Sequence, residues 1–187
     1  MYDTAEFRKG LKIEVDGIPY LIVDFQHVKP GKGGAFVRTK LKNLMTSAMV
    51  DKTFRAGEKV SRPDLETKEM QFLYKDEASF HFMDLETYDQ LAIPPDHIEA
   101  TTASLLKENT QVAVLFYRGI PLNIELPTFL ELTIVETDPG LRGDTASGGS
   151  KPAKLETGAI VQVPLYLKIG DIVKVDTRTV AYVEKVR

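Results

Sequence analysis

The sequence contains no cysteine, and no long apolar run occurs anywhere in its 187 residues. The absence of cysteine excludes disulfide bonds and thiolate chemistry, and it fits a reducing compartment. No segment approaches the roughly 20 consecutive apolar residues of a membrane-spanning helix. The first residues, Met1 to Glu6, are neither basic nor apolar, so we expect no signal peptide. Together these absences predict a cytoplasmic protein that makes no contact with a membrane.

The sequence also lacks the patterns that mark common enzyme and metal sites. Its three histidines, His27, His81 and His97, are far apart and have no companions at the spacing of metal ligands. No Gly-x-Ser-x-Gly motif marks a nucleophile elbow. The pair Gly31 and Lys32 lacks the preceding glycine and the following Ser or Thr of a phosphate-binding P-loop. We therefore expect no metal, no cofactor and no enzymatic activity, while an uncharacterised enzyme stays open as an alternative.

Short strands and turns dominate the pattern, and helical periodicity is scarce. Alternating apolar residues predict strands over 11–15, 20–25, 35–42, 49–54, 68–74, 80–84, 112–117, 120–126, 129–137, 160–167, 172–175 and 179–183. A helical turn is predicted over 87–91 and a short helix over 98–109. The many short strands indicate an all-β fold made of three small β-barrels in series.

Charge is divided unevenly along the chain, whose net charge is −3. Turn clusters near Pro63 and Pro127 predict three domains, over 1–62, 63–127 and 128–187. Their net charges are +5, −8 and zero. This division indicates that the first domain faces a polyanion such as RNA, while the second avoids it or meets a basic protein. Alternatively, most acidic side chains of the middle domain only keep it soluble.

A segment rich in proline and glycine separates two of the predicted strands and predicts a hairpin with a projecting tip. Lys32 at this tip has glycine on both sides, so no bulky neighbour shields its ammonium. No acidic residue occurs between Phe25 and Val50, which makes the hairpin a local basic surface suited to a phosphate backbone. Lysines that only keep a sheet edge soluble are the alternative. Besides Lys32, the residues expected to face RNA are Lys29, Pro30, Gly31, Gly33, Gly34, Arg38, Lys40 and Lys42.

Two stretches resemble signature segments of the bacterial elongation factor P family. The segment 27–38, HVKPGKGGAFVR, resembles the tip loop of that family, and the segment 143–159, GDTASGGSKPAKLETGA, resembles its C-terminal signature even more strongly. The two stretches lie about a hundred residues apart, in the order that the family requires. The residues that carry the C-terminal resemblance are Gly143, Asp144, Thr145, Gly148, Gly149 and Lys151. Whether the glycine-rich part of this segment contacts RNA or is only a surface loop stays open.

The resemblance implies an SH3-like, KOW-type barrel at the N-terminus, followed by two OB-type barrels. It also implies a translation elongation factor that binds both ribosomal subunits, ribosomal RNA and the peptidyl-tRNA. Lys32 would then lie near the peptidyl-transferase centre and help to relieve stalling at consecutive prolines. Such a role requires only a monomer. A generic RNA-binding or ribosome-assembly module and a divergent paralogue of the family stay open as alternatives.

The tip residue of this family is usually extended by a modification, so a lysine-modifying enzyme is a further expected partner. A lysine at position 32 argues against arginine rhamnosylation and leaves β-lysylation, aminopentanol addition or no modification open. The sequence departs from the family pattern at Tyr166, where Phe is common, and over 179–182, where Ser-Gly-x-Tyr is common. Tyr182 and Lys185 fall where the C-terminus of the family approaches the small subunit.

Overall fold

The structure, a computed structural model, describes residues 1–140 and 148–187, and strands make up most of what it describes. These strands are β1 (Tyr2–Asp3), β2 (Lys12–Val15), β3 (Ile18–Val28), β4 (Phe36–Asn43), β5 (Met49–Arg55), β6 (Lys59–Val60), β7 (Leu65–Lys75), β8 (Phe80–Asp84), β9 (Gln90–Ile93), β10 (Gln111–Tyr117), β11 (Ile120–Glu125), β12 (Phe129–Thr137), β13 (Ser150–Leu155), β14 (Ile160–Pro164), β15 (Ile172–Asp176) and β16 (Ala181–Lys185). One α-helix, α1 (Ala100–Leu105), and two 3-10 turns (Thr4–Glu6 and Pro95–His97) accompany them. The predicted all-β fold is confirmed.

The strands form four sheets, whose orders are β1-β6, β2-β3-β4-β5, β11-β10-β7-β8-β9 and β14-β13-β12-β15-β16. The chain divides into two compact units, one made of residues 1–66 with 116–122 and the other of 67–115 with 123–187. No helix among the described residues is long and apolar enough to cross a membrane.

The first unit is built on the hairpins of β2 to β5. In β4, Val37 and Leu41 are buried while Arg38 and Lys40 are exposed, which is the alternation expected from the sequence. The buried faces meet in a core of Phe7, Leu11, Ile13, Ile22, Val37, Leu41, Phe54 and Val60. Thr39 is the polar exception on the buried face, and its hydroxyl donates a hydrogen bond to the Lys52 carbonyl at 2.7 Å. The outer face of β4 therefore presents charged side chains such as Arg38 and Lys40.

The turn between β10 and β11 also belongs to the first unit. Its left-handed residues, Arg118 at φ 48° and Gly119 at φ 80°, reverse the chain tightly. The buried Tyr117 hydroxyl lies 2.9 Å from Oε2 of Glu14 and 2.8 Å from the Gly17 carbonyl oxygen. The Arg118 guanidinium donates to the same Glu14 carboxylate at 3.1 Å. This turn is thus held against the β2–β3 hairpin by polar contacts, of which those of Tyr117 are partly buried and that of Arg118 is exposed.

Replacing Tyr117 with phenylalanine should lower the free energy of unfolding by about 1–2 kcal/mol, because the Glu14 carboxylate and the Gly17 carbonyl oxygen lose the partly buried hydroxyl that lies within hydrogen-bond distance of both. Urea unfolding of Tyr117→Phe measures the change. The control is Tyr88→Phe, since Tyr88 is 70% exposed and should change stability by less than about 0.5 kcal/mol. Equal unfolding midpoints for Tyr117→Phe and the parent would show that these hydrogen bonds add nothing to stability.

The second unit contains a core to which the C-terminal strands and helix α1 both contribute. Leu105 from α1 is fully buried in the same cluster as Leu132, Leu155 and Val173. Beside the helix, Lys107 forms an ion pair with Glu156 at 3.0 Å, and Glu156 also accepts a hydrogen bond from the backbone N–H of Thr133. The helix that the sequence predicts over 98–109 is shorter here, but it fills a position in this core.

Two sequence predictions in this unit are wrong. The predicted helical turn over 87–91 is a tight turn followed by β9, because the Asp84 side chain accepts hydrogen bonds from the backbone N–H groups of Glu86 and Thr87. The sequence predicts no strand in the glycine-rich segment that ends at Gly158, yet this segment contains β13. In β13, Lys151, Ala153 and Leu155 face inward in strict alternation with exposed residues. The glycines on either side are typical of a loop, so this short alternation does not stand out in the sequence.

Candidate nucleic-acid interface

The predicted tip joins β3 to β4 in the first unit. Every residue from Lys29 to Gly34 is exposed. Gly33 has φ 108°, a backbone conformation that side chains rarely adopt, and Cβ atoms added at Gly31 or Gly34 would meet no heavy atom within 4 Å. Lys32 therefore stands on an open loop, as the sequence predicts.

The antiparallel register arranges the outer side chains of β3, β4 and β5 in four cross-strand rows, which we call the hairpin face. From the tip downward, the rows are Val28, Phe36 and Arg55; Gln26, Arg38 and Thr53; Asp24, Lys40 and Asp51; and Leu21, Lys42 and Met49. Directly opposite side chains in such rows interact across about 5 Å. The basic residues of β4 consequently differ in the neighbours on either side of them.

Lys40 lies in a row with two acids. It is directly opposite Asp24 on β3 and Asp51 on β5. Asp24 also forms an ion pair with Lys9 at 3.1 Å. The hydrogen bond from Lys9, aided by the Phe25 backbone and by the charge of Lys40, holds the pKa of the Asp24 carboxyl below its usual value. Lys40 forms no ion pair within 4 Å among the described residues, but two carboxylates lie beside it in its row and offset part of its positive charge.

Arg38 has neutral polar residues, Gln26 and Thr53, opposite it. Its guanidinium lies over the Phe36 ring, 5.4 Å from the ring centroid, and Arg38 is exposed to solvent. A surface concavity of about 440 Å³ runs beside it, and its lining includes the carboxylates of Asp24 and Asp51 as well as Arg38. The feature that suits a phosphate group is therefore the Arg38 guanidinium with its neutral neighbours, and not the concavity as a whole.

The histidines His27 and His81 have local contacts of their own. His27 packs edge-on against Phe25 at 5.7 Å, and His81 stacks on Tyr74 while its Nε2 lies 2.7 Å from Asp76. Within residues 1–140 and 148–187, no three His, Cys, Asp or Glu side chains come together as metal ligands would.

The C-terminal signature lies only partly within the described residues. Gly143, Asp144 and Thr145 lie outside the described residues. Gly148 (φ 61°) and Gly149 lead directly into β13. Lys151 is 6% exposed, and its ammonium donates a hydrogen bond to the Asp138 carbonyl at 2.6 Å. Lys151 therefore connects β13 to the chain just after β12. This structural role could not be predicted from its place in the C-terminal signature.

A groove of about 740 Å³ lies beside this segment, and its lining includes Tyr166, Tyr182, Gly140 and Gly149. The two tyrosine hydroxyls are 3.4 Å apart. Burial, and then the hydrogen bond with Tyr166, raises the pKa of Tyr182 to about 12. Tyr182 is therefore neutral and able to donate a hydrogen bond throughout the physiological pH range.

Lys185 forms an ion pair with Asp171 at 2.9 Å, and their hydrogen bond is the main reason why the pKa of Asp171 lies below its usual value.

The predicted site residues fall into two groups. The tip and hairpin residues are gathered in the first unit, whereas Gly148, Gly149, Lys151, Tyr182 and Lys185 belong to the second.

The chain is similar to known proteins along nearly its whole length. Residues 3–60 match the elongation factor P KOW-like domain, residues 65–124 the elongation factor P OB domain, and residues 130–185 the domain described as elongation factor P, C-terminal. Elongation factor P of Nitratidesulfovibrio vulgaris is 59% identical over 97% of this chain and 98% of its own length. Elongation factor P of Moorella thermoacetica is 54% identical over 99% of this chain and all of its own.

Solved structures show the same kind of fold. Eukaryotic translation initiation factor 5A from Methanococcus jannaschii superposes with a TM-score of 0.54 at 25% identity, covering 67% of this chain and 92% of its own. A translation initiation factor 5A family protein from Naegleria fowleri superposes with a TM-score of 0.52 at 16% identity, covering 67% of this chain and 96% of its own, which supports the fold alone.

Proposed function

The chain belongs to the elongation factor P family and is a translation elongation factor, and from this premise we propose that it binds the ribosome beside the peptidyl-tRNA and stimulates peptide-bond formation at consecutive prolines. The observation that carries the proposal is the open tip: Lys32, flanked by glycines, projects beyond a basic hairpin face. An ammonium presented in this way suits a crowded site lined with RNA.

The proposed contribution of Lys32 is to position the reacting ends. Proline is a poor nucleophile and a rigid donor, so misaligned reactants reduce the rate strongly. A cation at the end of the peptidyl-tRNA would restrict its motion and would stabilise charge near the reaction centre, which are entropic and electrostatic effects. The side chain of Lys32 alone reaches about 6 Å from its Cα. A modification that lengthens Lys32 would extend this reach, so a lysine-modifying enzyme is part of the proposal.

The proposed partners are ribosomal RNA, the peptidyl-tRNA and both ribosomal subunits, in the cytoplasm. The exposed basic residues of the hairpin face support the RNA contacts, because phosphate neutralisation dominates affinity for nucleic acids. The second unit supplies Tyr182 and Lys185 as candidate contacts with the small subunit.

The intact mass of the protein from its native cell would show whether Lys32 carries a modification and of what kind.

Adding the purified protein to a reconstituted translation system that lacks such a factor should raise the yield from a message with a proline run. A matched message with alanines in place of the prolines should be translated at an unchanged rate, because ordinary residues need no help with alignment. Full-length product from each message, measured over time, gives both rates. An equal gain on both messages, or no gain on either, would favour the RNA-binding or ribosome-assembly module instead.

A further inference from the structure

Arg55 is a basic residue of the hairpin face that lies far from the tip in sequence but next to it in the sheet. It ends β5 directly opposite Phe36, in the row nearest the tip. The neighbouring backbone is fixed to the base of the tip, since the Ala56 N–H donates to the Ala35 carbonyl at 3.0 Å. The backbone of Arg55 is therefore held next to the base of the tip.

The guanidinium of Arg55 is directed to solvent. Arg55 is exposed, whereas the preceding Phe54 is fully buried on the opposite face. The closest acid in sequence, Glu58, accepts a hydrogen bond from the backbone N–H of Arg55 at 2.9 Å and forms no ion pair with its side chain. Among the described residues, no ion pair involves Arg55 or Arg38, so both guanidinium groups are available to an anion.

Phe36 lies between the two arginines. It is directly opposite Arg55, and the Arg38 guanidinium lies 5.4 Å from its ring centroid. Arg38 and Arg55 lie on the same side of the sheet because they alternate along their strands with the buried Val37 and Phe54. Guanidinium groups present planar pairs of N–H donors that match phosphate oxygens, which lysine ammonium groups do not.

We propose that Arg55 and Arg38 are the phosphate-binding pair of the hairpin face, and that Lys40 adds little to RNA binding because Asp24 and Asp51 balance its charge. This inference rests on the proposed function and adds to it the residues that hold the RNA backbone. It assigns Arg55 to the interface and separates Arg38 from Lys40, two residues that the sequence pattern treats alike. Of the three rows that contain Arg55, Arg38 and Lys40, the inference thereby assigns the RNA contact to the two nearest the tip.

The test measures how the affinity of the full-length protein for ribosomes carrying peptidyl-tRNA depends on salt. Each phosphate contact that is lost should reduce the slope of log K against log salt by about 1. We expect this reduction for Arg55→Gln and for Arg38→Gln, and a reduction of about 2 for the double variant. Lys40→Gln removes the same charge from the same face, so it is the matched control. The two acids that it leaves without a neighbouring cation should weaken binding slightly, but because no phosphate contact is lost the slope should fall by much less than 1.

Two further variants separate binding from folding. Arg55→Lys keeps the positive charge, so it should keep most of the slope. Its affinity should be weaker, because a lysine ammonium lacks the planar pair of N–H donors of a guanidinium group. Asp51→Asn removes an acid beside Lys40, so it should raise the slope, and adding Lys40→Gln to it should bring the slope back. Thermal unfolding of each variant should match the parent, because all of these side chains are exposed.

The outcomes distinguish the inference from the proposed function. If the parent binds ribosomes and Lys40→Gln lowers the slope as much as Arg55→Gln does, the inference is wrong while the proposed function stands. An unchanged slope for both arginine variants also overturns the inference and leaves the proposed function standing. If the parent itself shows no salt-dependent binding to ribosomes, the proposed function fails, and the assignment of Arg55 fails with it.

Discussion

Replacing Lys32 with alanine should slow peptide-bond formation through consecutive prolines by about 10- to 100-fold, since misplacing reactants by about 1 Å can cost this much. The fold should remain intact, because Lys32 is exposed on a loop whose glycines have open space around them. Binding to the ribosome should fall only modestly, since the arginines of the hairpin face remain. The loss should therefore appear in the rate at saturating protein.

The measurement is reconstituted translation of a proline-run message and of an alanine message, with the Lys32→Ala protein at saturating concentration. Lys29→Ala is the matched control, because Lys29 is also an exposed lysine, at the base of the same loop. It should retain most of the rescue at saturation. If Lys32→Ala rescued the proline-run message as well as the parent, the tip would not be the functional centre.

Most of the strands could be predicted from the sequence because one face of each is buried. Val37 and Leu41 alternate with Arg38 and Lys40, and burial of one face fixes which side chains point outward. The turn at Asp16 and Gly17, with φ 52° and 74°, is likewise visible in the sequence as a hairpin signal between β2 and β3. Local patterns of this kind need no knowledge of distant residues.

The wrong predictions fall where local chemistry competes with periodicity. Over 87–91 the apolar spacing favours a helical turn, but the Asp84 carboxylate binds two backbone N–H groups and closes a tighter turn. Strand β13 escapes prediction because the proline and glycine in and around it are typical of a loop. Its pairing with both β12 and β14 stabilises it as a strand, and this pairing cannot be read from its composition.

The site was only partly predictable for a different reason. The basic stretch and the tip are visible in the sequence, but the neighbours of each lysine depend on register between strands. Asp24 and Asp51 lie far from Lys40 in sequence. Arg55 lies next to the tip only because β5 pairs with β4. Lys151 shows the same limit, since nothing local indicates that its ammonium is buried against the Asp138 carbonyl. Charge counted along the chain is therefore a poor guide to which cations are available.

The close approach of Gly140 to Leu165 predicts the largest effect on stability in the second unit. A Cβ atom added at Gly140 would lie 2.5 Å from the Leu165 carbonyl oxygen and 3.2 Å from its carbon. Both atoms belong to the backbone just after β14, so no flexible side chain can move aside. Two residues earlier, the Asp138 carbonyl accepts the hydrogen bond from Lys151. Only glycine allows the two backbones to meet here.

Gly140→Ala should therefore reduce the free energy of unfolding by about 2–3 kcal/mol, as overpacking at a rigid site does. For a chain of this length that corresponds to a fall in melting temperature of about 4–12 °C. Thermal and urea unfolding measure both quantities. Gly34→Ala is the control, because a Cβ there meets no heavy atom within 4 Å and should leave stability unchanged. If the two variants unfold at the same midpoint, then the backbone at Leu165 moves freely, and the contact with Gly140 does not fix the chain after β12 in place.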